Sequence, residues 1–275
     1  MPFTFAHPAA AVPLRRLLGR AGVLSALVIG SMAPDLIYFV PFGVDRATTH
    51  SLAGVFWFCL PLGVVTYHIF NFLVRPVIYV LLPPTWRDRL TPLLDHASQS
   101  RPPTWTVLVS IVVGALTHLI WDAWTHGDGF FVVSLPILQT HLGQFYGYQI
   151  YLYKALQHGG TFLGFVCLGL WVKRYWDSLP VRRTTRFLPS VELLRVPVLL
   201  ALVTVSAVVG MTSGLAHGVP ASGIHAFQLF LGYGVVRASS VCGVLLIALG
   251  ALLRFCTPQW LLASVERPKR SSRMS

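Results

Sequence analysis

Charge is what this sequence has least of. Only 11% of its 275 residues are Asp, Glu, Lys or Arg, where a soluble domain carries roughly a quarter. Hydrophobic residues make up 55%, and the mean hydropathy is +0.66. The apolar runs extend along the whole chain, so the composition is that of one polytopic membrane bundle with no separate soluble domain.

Acidic residues are scarcer still, nine against 21 basic ones, for a net charge of +12. A nucleic-acid partner is not implied, because Lys and Arg sit in short clusters between apolar runs and form no continuous stripe. Cysteine is limited to Cys59, Cys167, Cys242 and Cys256, each alone in an apolar stretch. With no CxxC spacing and no closely paired framework, they read as small core-filling hydrophobes. GxGxxG, Walker, GxSxG and HExxH motifs are absent, as is any internal repeat of the transporter kind.

What is present is a set of apolar stretches of about the 20 residues that a spanning helix needs: 22–41, 52–73, 105–124, 160–176, 196–216 and 232–254. The fold class expected is all-α, a bundle of about six transmembrane helices. The shortest stretch is expected to begin earlier, near Leu152, with Lys154, Gln157 and His158 facing protein. Ser31-Met32-Ala33 has the small residues of a signal-peptide cleavage site, but the Pro34 that follows disfavours one.

Short cytoplasmic loops retain Lys and Arg. Arg15, Arg16 and Arg20 precede the first span; Arg75, Arg87, Arg89 and Arg101 lie between the second and third. Lys173, Arg174, Arg182, Arg183, Arg186 and Arg195 separate the fourth and fifth, and Arg254, Arg267, Lys269, Arg270 and Arg273 follow the sixth. The alternate loops 42–51, 125–151 and 217–231 contain Arg46 as their one basic residue. Six spans with both termini in the cytoplasm satisfy every interval. Residues 1–256 form one transmembrane domain on this reading, 83–104 a cytoplasmic loop, and 257–275 a basic disordered tail.

Ionisable side chains inside spans cost several kcal/mol or more and mark function by default. Asp35 lies in the outer half of the first span and His50 opens the second from the same side. His118 and Asp122 are four apart, hence on one helical face about 6 Å from each other, and His126 continues that face. Two imidazoles and two carboxylates suit a divalent cation: zinc by ligand type, with manganese or iron also admitted. The same groups also admit a buried ion pair that fixes helix packing, a proton relay, or, at Pro34-Asp35, a helix break with a capping Asp. His7 reaches the cluster if residues 2–14, apolar and uncharged, form a short re-entrant segment anchored by Arg15, Arg16 and Arg20.

His68 reads as interfacial, and His96, His141, His217 and His225 as solvated loop or span-end residues. His158 stands on the outer approach to the fourth span as a substrate contact or part of a polar helix face. Arg237 lies near the outer end of the sixth span, where it pairs or snorkels.

The segments Met1-Pro2-Phe3-Thr4-Phe5-Ala6-His7-Pro8-Ala9, Gly30-Ser31-Met32-Ala33-Pro34-Asp35, Thr49-His50-Ser51 and Gly114-Ala115-Leu116-Thr117-His118 through Trp121-Asp122-Ala123-Trp124-Thr125-His126 resemble a bacterial family of polytopic membrane proteins classed as a domain of unknown function. The order His, Pro-Asp, Thr-His-Ser, His-x3-Asp is also similar to that of bacterial inner-membrane metal-dependent hydrolases and, more distantly, of zinc-dependent phospholipase C enzymes. That resemblance implies one metal held by Asp35, His50, His118 and Asp122, with Asp122 bridging to a second near His7. No third zinc site is matched, and those phospholipases are soluble.

The expected function is therefore a membrane-embedded, metal-dependent hydrolase of a phosphoester or lipid-linked bond in the bacterial inner membrane. Asp122 and His126 are the expected catalytic residues. Arg237, Lys154 and His158 are expected to bind the substrate, and His7, Asp35, His50, His118 and Asp122 the metal. A proton-coupled transporter and a structural or assembly factor remain as alternatives, as does, more remotely, a haem-binding cytochrome.

Overall fold

The computed structural model describes residues 4–40, 43–99, 102–181, 189–219 and 223–256. The protein is an all-α polytopic bundle. Helices are Pro8–Ala11 (α1), Leu14–Leu18 (α2), Leu24–Met32 (α3), Arg46–Thr49 (α4), Leu52–Leu81 (α5), Pro84–Gln99 (α6), Thr104–Thr125 (α7), Phe130–Ser134 (α8), Leu152–Ser178 (α9), Pro189–Gly218 (α10) and Gly223–Ala251 (α11). A small antiparallel hairpin, His141–Phe145 (β1) with Tyr148–Tyr151 (β2), leads into α9.

Five helical stretches among the described residues are long and apolar enough to cross a membrane: Leu52–Leu81, Thr104–Ser134, Leu152–Ser178, Val191–Gly218 and Gly223–Cys256. The sixth expected span is shorter than the others. The nine residues of α3 run into a six-residue 3₁₀ segment, Ala33–Tyr38, with Pro34 in its first turn. At about 1.5 Å per α-helical and 2.0 Å per 3₁₀ residue, the two cover about 25 Å, less than a hydrocarbon core of about 30 Å. Pro34 has no N–H to continue the α-helical ladder, and the change of pitch delivers Asp35.

Close backbone contact sets α3 on α7. A Cβ on Gly30 would stand 2.3 Å from the Ile111 carbonyl oxygen, and one on Gly114 would stand 2.4 Å from that of Leu27. Small residues permit this approach in membrane bundles, where packing replaces the hydrophobic drive. Two buried apolar groups fill the space around this contact: Ala26, Tyr67, Val107 and Ile111, and, nearer the site, Ala33, Val55, Phe58, Cys59 and Ala115.

The N-terminal segment runs down α7 and back. Its turn is pinned to Ser110 of α7, whose hydroxyl donates to the Ala21 carbonyl (2.9 Å) and accepts from the Val23 amide (2.9 Å). Arg15, Arg16 and Arg20 sit by this turn. His7 on one arm and Asp35 on the other lie beside His118, about 12 Å further along α7 at 1.5 Å per residue.

Two expectations change. Residues 83–104 contain the helix α6, which carries His96 and is tied down by the buried Arg87 pairing with Glu192 and by Arg89 donating to the Trp176 carbonyl (3.1 Å). Pro84 begins that helix, a position where proline's missing N–H costs nothing. Of the cysteines, Cys59 alone is buried; Cys167 and Cys256 are exposed and Cys242 is intermediate, because the one-sided packing of α9 and α11 leaves much of their apolar surface outward. The segment expected as a disordered tail, 257–275, lies outside the described residues.

Candidate metal centre

Four elements meet at the end of α7 remote from Thr104. Asp35 comes from the 3₁₀ segment after α3, His50 from the C-cap of α4, His118 and Asp122 from α7, and His7 from the residue before α1. His7, Asp35, His118 and Asp122 are buried and His50 is nearly so.

His50 is placed by a chain of caps. Asp45 accepts the Thr48 amide (2.7 Å) and thereby starts α4; Ser51 accepts the Gly54 amide (2.9 Å) and starts α5. Asp45 is fully exposed, and its hydrogen bond from Thr48 holds its carboxyl below the usual carboxylate range. The turn between the two caps points the His50 ring inward.

Backbone carbonyls hold both rings. His118 Nδ1 lies 2.8 Å from the Ser31 carbonyl oxygen and His50 Nδ1 lies 3.1 Å from that of Arg46 and 3.0 Å from the Thr49 hydroxyl. A carbonyl only accepts, so His118 Nδ1 carries its proton and donates, and in the neutral ring its Nε2 is a bare acceptor. A hydroxyl both donates and accepts, so His50 Nδ1 is held in either tautomer. The Asp35 Oδ2 atom accepts from the Thr4 hydroxyl (2.6 Å), which turns Oδ1 toward the two rings.

The converging atoms are evenly spaced. His50 Nε2 is 3.3 Å from His118 Nε2, 3.4 Å from Asp35 Oδ1 and 3.4 Å from Asp122 Oδ2. His118 Nε2 is 3.7 Å from Asp35 Oδ1 and 3.5 Å from Asp122 Oδ2. These are five of the six separations among the four atoms, and, among the described residues, the groups whose donor atoms all lie within reach of one ion are two trios that share His118: His7–Asp35–His118 and His50–His118–Asp122. For metal–ligand bonds of about 2.0–2.2 Å, a four-coordinate shell has edges of about 3.3–3.6 Å. The donors present fit a divalent cation.

The other Asp122 oxygen, Oδ1, faces His7 Nε2 at 3.7 Å and His126 Nδ1 at 3.3 Å. The His7 ring stacks on His118, with centroids 3.7 Å apart and planes at 15°. Both His7 nitrogens, Asp35 Oδ1, Asp122 Oδ1 and His126 Nδ1 are buried without a hydrogen-bond partner. Such orphaned atoms are rare and call for a reason. At the far side of the His126 ring, Nε2 lies 3.3 Å from the side-chain amide of the buried Gln157.

The residues expected to bind substrate are placed differently. Lys154 lies over the Tyr148 ring, 4.2 Å from its centroid. His158 and Arg237 are exposed on α9 and α11, and none of the three forms an ion pair with the clustered residues. Instead Arg46 reaches Asp122, its Nη2 2.9 Å from Oδ2, while Nη1 lies 3.0 Å from Asp128 Oδ2. Sequence reasoning missed Arg46 and Thr4. For Arg46 a signal existed: it is the one basic residue of the outer loops and stands four residues before His50. Thr4 had none.

No curated protein and no solved structure matches the chain. A family model described as Domain of unknown function (DUF4184) matches residues 1–252. The chain, with its His7, Pro34-Asp35, His50 and His118-x3-Asp122 gathered at one end of a polytopic bundle, therefore belongs to the DUF4184 family.

Proposed function

We propose that this protein is a membrane-embedded, metal-dependent hydrolase acting on a phosphoester or other lipid-linked bond. The observation that carries the reading is the gathering of Asp35 Oδ1, His50 Nε2, His118 Nε2 and Asp122 Oδ2, five of whose six separations are 3.3–3.7 Å, around two trios able to hold an ion, His7–Asp35–His118 and His50–His118–Asp122. With the His118 Nδ1 proton committed to the Ser31 carbonyl, its Nε2 lone pair faces two buried carboxylates, a donor set that a divalent cation would satisfy.

Asp35, His50, His118 and Asp122 would hold the ion, zinc by ligand type and manganese or iron as alternatives. Bound there, a divalent cation supplies Lewis acidity and an acidified water. His7 and His126, facing the second oxygen of Asp122, add donors on the other side of that carboxylate. His126, its Nε2 side occupied by Gln157, directs Nδ1 to Asp122 and is the group placed to hold or move a proton there. Four protein donors fill a tetrahedral shell, so turnover requires a fifth position or a carboxylate that yields. Asp122, already engaged by Arg46, is the ligand placed to yield.

The alternation of Arg- and Lys-rich loops with nearly uncharged ones supports a bacterial cytoplasmic-membrane location with cytoplasmic termini and an outward site. The test is hydrolysis of a chromogenic phosphodiester, a phosphomonoester and a lipid phosphoester by detergent-purified protein. Turnover that is abolished by a chelator and restored by zinc or manganese is expected. Metal-loaded protein inactive on all three, beside measurable proton flux in vesicles, would favour a transporter instead.

A further inference from the structure

Arg46 touches the cluster twice. Its carbonyl oxygen lies 3.1 Å from His50 Nδ1, and its guanidinium reaches Asp122 Oδ2 (2.9 Å), so one residue contacts two of the four candidate ligands. Those contacts, with the bridge to Asp128, use two of the five N–H groups of a planar fork suited to phosphate and carboxylate. The Arg46 side chain is 27% exposed, so the fork is reachable from outside while the ligands behind it are closed off.

Charge decides what such a fork would meet. The buried carboxylates of Asp35 and Asp122 balance one divalent cation. The remaining counter-charge of Arg46 is then Asp128, 3.0 Å away with a side chain 75% exposed, an exposed pair of the kind that contributes little and that a second anion can displace. A guanidinium next to a metal is stabilised by an anion lying against both.

We propose that Arg46 forms an anion-recognition site at the mouth of the metal centre, and that its ligand is a phosphate group. The proposal rests on the metal reading and narrows its substrate class. When the cation engages Asp122, the guanidinium loses part of that carboxylate's charge and turns its free N–H groups to a phosphate oxygen. Phe130 and Val133 are large exposed apolar residues on α8, which begins two residues after Asp128, and such side chains suit the acyl region of a lipid phosphate.

The test uses full-length protein in detergent, loaded with manganese and titrated with inorganic phosphate and, separately, with short-chain phosphatidic acid, for wild type, Arg46→Gln and Arg46→Lys. Metal content is measured in each. Arg46→Gln is expected to retain manganese and lose at least tenfold in phosphate affinity, with Arg46→Lys recovering part of it. Tighter binding of phosphatidic acid than of phosphate by wild type would assign the ligand to a lipid headgroup; equal binding would assign it to free phosphate. Unchanged phosphate affinity in a metal-loaded Arg46→Gln protein overturns this proposal alone, as does loss of manganese in that variant. A wild type that takes up no manganese overturns the metal reading and this one with it.

Discussion

His50 and His118 stand 68 positions apart in the chain, yet their Nε2 atoms lie 3.3 Å from each other while each Nδ1 is tied to a backbone carbonyl. Two imidazoles fixed in this way turn Nε2 to one space that two carboxylates also enter. Protons and a metal ion compete for that space, and the competition gives the first prediction.

Metal affinity should fall as pH drops from 8 to 5, because protons compete with the ion for the ligand imidazoles. Each histidine that must lose its proton to bind adds about a factor of ten per pH unit; two give up to about a hundredfold. Competition with a chelating dye between pH 5 and 8 measures the slope. Affinity independent of pH across that range would count against histidine ligation.

Thr4 donates to Asp35 from the far end of the N-terminal segment. Thr4→Val keeps the shape and removes the hydroxyl, leaving Asp35 free to turn. Outer partners of ligands are typically worth 10–100-fold in metal affinity, and a loss of that size with an unchanged thermal midpoint is expected. Unaltered affinity would mean that the stacking of α3 on α7 alone orients Asp35.

The contact of α3 with α7 predicts a stability effect confined to two glycines. Gly114→Ala and Gly30→Ala force backbone apart at 2.4 and 2.3 Å, and overpacking of this kind costs about 1–3 kcal/mol. Gly243→Ala, where a Cβ meets nothing within 4 Å, serves as the control and should leave stability unchanged. Thermal unfolding in detergent distinguishes them. Equal behaviour of all three variants would contradict the packing described.

Asp45 starts the short helix that presents His50. Its carboxyl is held below the usual range by the Thr48 amide, so the cap persists above the unfolded carboxylate value near 3.9 and is lost only as pH falls through the lower folded one. Loss of metal above pH 5 therefore does not come from loss of this cap. Asp45→Ala should weaken metal binding several-fold at pH 7 and raise hydrogen exchange at the Thr48 amide; unchanged exchange would remove the cap from the account.

The parts of the site that were legible in the sequence are those set by local geometry or by the cost of charge in an apolar run. His118 and Asp122 share a face because helical spacing puts residues four apart side by side, and Asp35 and His50 stand out as polar groups where none should be. Leu152 was recognised as the start of α9, whose apolar run alone was too short. The rest depended on tertiary contact. The helix α6 hides in a Pro-rich linker because its stability comes from Arg87, Arg89 and their partners on other helices. Arg46 looked like an ordinary loop arginine, since only the fold sets Asp122 beside it. His7 was expected at the cluster through a re-entrant segment of residues 2–14, but the turn pinned to Ser110 that sets its position is a tertiary contact that no periodicity encodes.

The most direct test is the metal content of detergent-purified, chelator-washed and reconstituted protein, wild type beside Asp35→Ala, His50→Ala, His118→Ala and Asp122→Ala, each checked for folding. Near-stoichiometric zinc, manganese or iron in the wild type, lost in every folded variant, is the predicted result. A wild type that retains none of the three, or folded variants that bind as the wild type does, would contradict a metal centre at these residues.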